Sequence, residues 1–325
     1  MKILVTIALL FLHSLAFGSG EEAAPAPASL IICTGLGGSP EYTEAFSHWA
    51  DNWRQAGLAG KAHIVMIGAD TDQGEDLTRL RTALESERVA GPEPLWLVLL
   101  GHGTYDGHDA KFNLRGADLT AADLSAILTP FKRPVIVVAA FSSSGAFLAP
   151  LSKSNRVVIT ATKSGGENNF ARFGKYLSEA IADPAADLDH DGQTSLLEAW
   201  ISAAQQTAEF YKSEGRLATE HSLLDDNGDG KGTPADWYNG LRVVKKATGG
   251  GIPDGLRARQ IHLVPSAAER ALPPALHAER DTLELQLAEL REEKSKMEEA
   301  DYFQKMEALL LRLAAIYHQP DAPAK

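Results

Sequence analysis

Leu95-Trp96-Leu97-Val98-Leu99-Leu100-Gly101-His102-Gly103 is an unbroken apolar run that ends in a histidine between two glycines. A run this short, closed by glycine, suits a strand buried on both faces. The pattern returns about forty residues later, where Val135-Ile136-Val137-Val138 leads into Ala139-Ala140-Phe141-Ser142-Ser143-Ser144-Gly145. Further apolar runs occupy 30–33, 63–67 and 157–160. Amphipathic stretches separate them. Over 41–55, Phe46, Trp49 and Trp53 recur at helical spacing, and 77–89, 119–128 and 170–181 also read as helices. Val/Ile/Leu strands alternating with helices imply an α/β domain over 29–182: an open, mainly parallel sheet with helices on both faces.

The flanks of that domain differ from it. Met1-Lys2, an apolar run over 3–12 and Ala16-Phe17-Gly18 form the pattern of a cleaved secretory signal. The run is too short to span a bilayer of about 30 Å. A signal over 1–18 and a flexible Ala/Pro-rich leader over 19–28 are therefore expected, with export to the periplasm or the medium. No later stretch has the eighteen apolar residues of a transmembrane helix. The formal charge of −12 becomes −13 once Lys2 leaves with the signal, which argues against a nucleic-acid partner. Cys33 is the only cysteine. It permits neither an intramolecular disulfide nor a cysteine metal site, and its apolar run makes it a core thiol.

Beyond residue 182 the chain turns acidic and glycine-containing. Asp187-Leu188-Asp189-His190-Asp191-Gly192-Gln193-Thr194-Ser195-Leu196-Leu197-Glu198 matches the twelve-residue EF-hand loop. Asp187, Asp189 and Asp191 supply carboxylates, Gly192 the turn, Gln193 a main-chain carbonyl, Ser195 a bridged water and Glu198 a bidentate carboxylate. The helices over 170–181 and from Ser195 onward would flank it, and Thr194 replaces the usual aliphatic residue. Calcium is the expected cofactor. A second stretch, 225–236, repeats the pattern through Asp225, Asn227, Asp229, Gly230 and the Lys231 carbonyl. Its last position is the shorter Asp236, and Pro234 disturbs the exit, so it reads either as a weaker site or as an acidic turn.

In an open parallel sheet, ligands meet the carboxyl ends of the strands, where His102 and the Ser142–Ser144 cluster arrive. There the sequence resembles the legumain and caspase superfamily of cysteine peptidases. Those proteins carry a strand ending in His-Gly and a later strand ending in Cys-x-Ser-Gly. His102-Gly103 matches the first motif, and Ser142-Ser143-Ser144-Gly145 matches the second with Ser142 in place of the cysteine. The stretch 119–124 is similar to the family's intervening helix, and 157–162 and 165–177 to the strand and helix after the nucleophile. The resemblance spans about 30–198 and implies a caspase-like fold with His102 and Ser142 at the catalytic positions. A serine hydroxyl is far less acidic than a thiol and needs an oriented base. The family's acidic or amide residue before the nucleophile is Ala140 here. These departures imply a degenerate peptidase serving as a calcium-binding interaction module. The alternative is an active calcium-dependent serine hydrolase using Ser142 and His102. A third reading sets Ser143 at the centre of a G-x-S-x-G elbow, with Asp187 and His221 as partners, but Phe141 replaces the first glycine.

Gly249-Gly250-Gly251-Ile252-Pro253 marks a linker over 249–274. From 275 to 318, Leu283, Leu287, Leu290 and Met297 form one heptad-like seam. Tyr302, Met306, Leu309, Leu313 and Ile316 form another. The break in phase between them implies a helical hairpin, with one kinked helix as the alternative. Such a hairpin either caps the main domain or self-associates. Residues 319–325 are a tail.

Overall fold

The computed structural model describes residues 27–69, 74–245 and 253–317. The expected signal at 1–18, residues 19–26 of the leader, the three glycines at 249–251 and the tail lie outside the described residues. β1 (Ser29–Thr34), β2 (His63–Ile67), β3 (Leu95–Gly101), β7 (Val135–Phe141) and β8 (Arg156–Thr160) pair in parallel. Between β3 and β7 a small antiparallel sheet intervenes, made of β4 (Gly103–Tyr105), β5 (Ala110–Phe112) and β6 (Leu119–Thr120). The main sheet has the order β10-β9-β8-β7-β3-β1-β2. It is mixed but mainly parallel, because β9 (Leu223–Asp225) and β10 (Thr233–Pro234) add antiparallel at one end.

Helices cover both faces, and the two faces make two cores. α1 (Pro40–Ala59), α5 (Phe173–Ala180) and α6 (Leu196–Ser213) bury Phe46, Trp49, Trp53, Leu177 and Trp200 against Leu30, Val98 and Val138. α2 (Asp76–Ser86), α3 (Ala121–Leu128) and α4 (Gly145–Leu151) bury Leu80, Leu124 and Phe147 against Ile31, Leu97 and Val137. Alternate strand residues feed opposite cores, as the period-two geometry of a strand requires. Cys33 lies in the second core, fully buried, where desolvation drives its thiol pKa far up.

Three features differ from the sequence expectation. The boundary expected at residue 182 does not separate two units: Leu223, Leu224 and Asp225 pair with Thr160, Ile159 and Val158, so the sheet is finished by residues beyond it. The helix expected over 170–181 begins at Phe173, ends at Ala180, and does not run into the acidic loop. A 3-10 turn at Pro184–Ala186 intervenes. Residues 119–120 are strand, and the helix starts after them at the Thr120 cap, whose hydroxyl accepts from the Asp123 amide.

The C-terminal region is a hairpin of two helices rather than one kinked helix. After β11 (Tyr238–Asn239), β12 (Arg242–Val243), α7 (Leu256–Arg259) and α8 (Ala267–Ala271), α9 (Pro274–Glu293) and α10 (Glu299–Tyr317) run antiparallel. Arg312 reaches Glu279 and Tyr317 reaches Glu284 across the pair. Leu283, Leu287, Leu313 and Ile316 form its core, while Met297 lies in the connecting turn and not in a helical seam. Among the described residues no helix is long and apolar enough to cross a membrane.

Candidate functional site

His102 and Ser142 reach the same rim because Gly101 pairs with Phe141, which fixes the two strand ends in register. The His102 ring is half-buried in a cage of aromatic rings: Tyr42 at 4.8 Å, Phe46 at 5.1 Å and Phe170 at 5.7 Å between centroids. Its Nε2 lies 3.2 Å from the Gly37 carbonyl. A carbonyl only accepts, so Nε2 carries the proton and Nδ1 is left as the basic nitrogen. Burial lowers the His102 pKa, and the Gly37 bond opposes that only in part. The ring is therefore neutral near pH 7.

The three serines have three different fates. Ser142 is 2% exposed, and its Oγ lies 3.5 Å from the Gly103 amide, a long contact. Among the described residues no hydrogen bond joins His102 to Ser142. Position 103 must be glycine, since a Cβ there would lie 2.1 Å from the Ser142 carbonyl oxygen. Ser144 is structural: its Oγ accepts from the amides of Ala161 and Thr162, tying the turn to the end of β8. Ser143 is strained, with φ at +64°, and its fully buried Oγ has no hydrogen-bond partner among the described residues.

The elbow reading expected Asp187 to pair with His221, and the structure corrects this. His221 Nδ1 lies 2.5 Å from Glu167 Oε1, and its amide donates to Glu167 Oε2. Glu167 also accepts from the Lys163 amide, while its main-chain oxygen takes the Ser143 N–H at 2.8 Å. Sequence reasoning missed Glu167, because it sits in a loop with no periodic signal. His221 arrives at this rim because β9 starts beside the end of β8. The Ser142–Ser144 turn thus lies between a neutral histidine and a histidine–carboxylate pair.

The first acidic loop is closely ordered. Oxygens of Asp187, Asp189 and Asp191 all lie within 4.8 Å of one another. Asp187 accepts from the amides of Asp191 and Gly192 at 3.2 and 3.0 Å, and Asp191 accepts from the Gln193 amide at 3.0 Å. These bonds aim the carboxylates inward. Gly192 takes φ +90°, which the turn needs. Ser195 and Glu198 form the capping box of α6. Glu198 is 2% exposed: Oε2 accepts from the Ser195 amide and hydroxyl, and Oε1 from the amides of Leu188 and Asp189. Arg259 Nη2 stands 2.9 Å from Asp189 Oδ2, a cation already seated on the loop. The donor set is all hard oxygen, which suits a hard divalent cation such as calcium, magnesium or manganese.

The second loop copies the first in a different frame, between β9 and β10. The Gly230 amide donates to Asp225 Oδ2 at 3.0 Å, as Gly192 does to Asp187. The Lys231 amide donates to Asp229 Oδ1 at 2.8 Å, as Gln193 does to Asp191. Asn227 accepts from the Asp229 amide. Asp236 does not close this loop. It lies in a 3-10 turn and pairs with Lys245. The buried Asp254 stands in its place: Oδ1 accepts from the amides of Asp226 and Asn227, and Oδ2 from the Thr233 hydroxyl. Those are the loop positions whose groups Glu198 accepts from in the first loop. Burial pushes the Asp254 pKa up to about 7, with Asp226 and Asp225 adding repulsion against its hydrogen bonds from Thr233 and Asp226.

No protein-family model matches the chain, and neither does any curated protein. Among solved structures, the chain is similar to the Drosophila initiator caspase Dronc, with 15% identity and a TM-score of 0.42 over 71% of this chain and 95% of that one. It is also similar to protein GSU0716 from Geobacter sulfurreducens, with 14% identity and a TM-score of 0.36 over 55% of this chain and 89% of that one.

Proposed function

We propose that this is an exported calcium-binding protein whose peptidase-like strand-end site is catalytically silent and whose role is to bind a partner. The observation that carries the calcium half is the gathering of Asp187, Asp189 and Asp191 oxygens at the start of α6. Three like charges held this close are costly unless a cation is there to bridge them. The second loop, closed by Asp254, would take a further ion. The catalytic half rests on Ser142: a buried hydroxyl without a hydrogen-bonded base is not ionised at neutral pH. Calorimetric titration tests the first claim: binding at up to about millimolar calcium supports it, and absent heat, with a melt indifferent to calcium, overturns it.

A hydrolase is the second reading, favoured by one observation. With Nε2 on Gly37, the basic Nδ1 of His102 has no hydrogen bond among the described residues. In this reading a movement of the turn brings Ser142 to that nitrogen, which takes the hydroxyl proton. Labelling by a fluorophosphonate that disappears in Ser142→Ala supports this reading against the silent one. If Ser142→Cys gains peptidase activity that the natural chain lacks, the scaffold is competent and the serine is what silences it.

A further inference from the structure

Residues 254–266 lie across both acidic loops before entering the helical hairpin. The Arg257 and Ala258 amides donate to Asp226 Oδ2 at 2.8 and 2.9 Å, fixing α7 on the second loop. The chain then crosses to the first loop. Arg259 pairs with Asp189, the Leu196 amide donates to the Ile261 carbonyl, and the Ser266 amide donates to Gln193 Oε1. Ser266 also caps α8, whose Glu269 holds Arg280 of α9 at 2.6 and 2.8 Å. Gln260 fastens α9 a second time, to the Asp281 carbonyl and the Glu284 carboxylate. Contacts therefore run without a gap from three residues of the first loop to the hairpin.

Resting on the calcium reading above, we infer that Arg259 is a tethered counter-cation of the first loop, so that calcium and the docking of 259–266 oppose one another. Asp189 offers one carboxylate to both. The guanidinium on Oδ2 offsets part of the loop's negative charge when no metal is present. A calcium ion on the same carboxylate meets like charge a few ångströms away. The pair is partly solvated, with Arg259 56% and Asp189 29% exposed in their side chains, so screening keeps the opposition small, about threefold in affinity. Binding linkage is reciprocal: if Arg259 weakens calcium by that factor, calcium weakens the hold of Arg259 by the same factor. The first contact to loosen is thus the Arg259–Asp189 pair, one residue before the Gln260 bonds that fasten α9. Calcium in this arrangement sets how firmly the C-terminal helices sit on the α/β body.

The test uses the full chain, with Arg259→Gln to remove the charge and Arg259→Lys to keep it. Calorimetric titration with calcium should give about threefold tighter binding for Arg259→Gln and wild-type affinity for Arg259→Lys. Hydrogen exchange over 260–271 in the wild type should speed up about threefold with calcium and change little in Arg259→Gln. Calcium binding that is intact but unchanged or weaker in Arg259→Gln overturns the inference and leaves the calcium site standing. Slower exchange with calcium overturns it as well. Absence of binding in every form removes the calcium reading and this inference together.

Discussion

Glu198→Gln separates the structural work of one carboxylate from the calcium-binding role proposed for the loop. In the fold, both oxygens of Glu198 act as acceptors, two donors to each: Leu188 and Asp189 amides on one, the Ser195 amide and hydroxyl on the other. Glutamine keeps one acceptor oxygen and turns an NH2 toward the other donors. One pair then loses a charged acceptor in a site that is 2% exposed. Hydrogen bonds to charged groups contribute about 1.5–3 kcal/mol, so the variant should lose about 2–3 kcal/mol with no metal present. In a chain of this size that is a fall in Tm of about 3–5 °C in chelator. Calcium at a hundredfold excess over Kd adds about 2.7 kcal/mol to the wild type, and the variant should gain little of it. Four melts, each form with calcium and with chelator, should therefore show a gap that about doubles when calcium is added. Equal melting of the two forms in chelator refutes the hydrogen-bond assignment. An equal calcium shift in both forms refutes Glu198 as a ligand.

Three further outcomes are expected. Asp254→Asn should remove one calcium ion from the calorimetric stoichiometry, whereas Asp236→Asn should leave it unchanged; the reverse result would restore Asp236 as the closing residue. Ser143→Gly should raise the urea midpoint by the equivalent of about 1 kcal/mol, because it relieves a left-handed φ and a buried hydroxyl without a partner, and a destabilised variant contradicts this. His277 is held by Asp281 and Glu269, which push its pKa up from 6.5 to about 9. Its stabilising contribution is thus complete below pH 6.5 and lost as pH rises through 9, and the wild-type urea midpoint should fall toward His277→Gln across that window. Parallel pH profiles would show that the pair contributes nothing.

The parts of the fold that were legible in the sequence are those where apolar runs are long. Leu95–Gly101 and Val135–Phe141 are buried throughout, and such runs permit little besides a central strand. The arrival of His102 and Ser142 at one rim followed from parallel pairing alone. β9 was illegible: three residues ending in Asp225 resemble the start of an acidic loop more than a strand, and only pairing with β8 and β10 makes them one. The gathering of Asp187, Asp189 and Asp191 could be read because these residues are contiguous. In the second acidic loop a linear motif points to Asp236, whereas the carboxylate that accepts from the loop's amides and the Thr233 hydroxyl is Asp254, from another segment. Ser143's backbone angle and the Glu167–His221 pair depend on how loops pack, which periodicity does not encode.

The antiparallel closure of the sheet by β9 bears on how the chain is made. During synthesis, β8 emerges about sixty residues before the strand that covers its outer edge. At about 5–20 residues per second, that edge stays open for about 3–12 seconds, with an apolar Val157-Val158-Ile159 row able to pair with a neighbouring nascent chain. The acidic stretch that separates β8 from its cover is translated inside that interval. Its like charges would keep one emerging chain from another until Leu223 and Leu224 arrive.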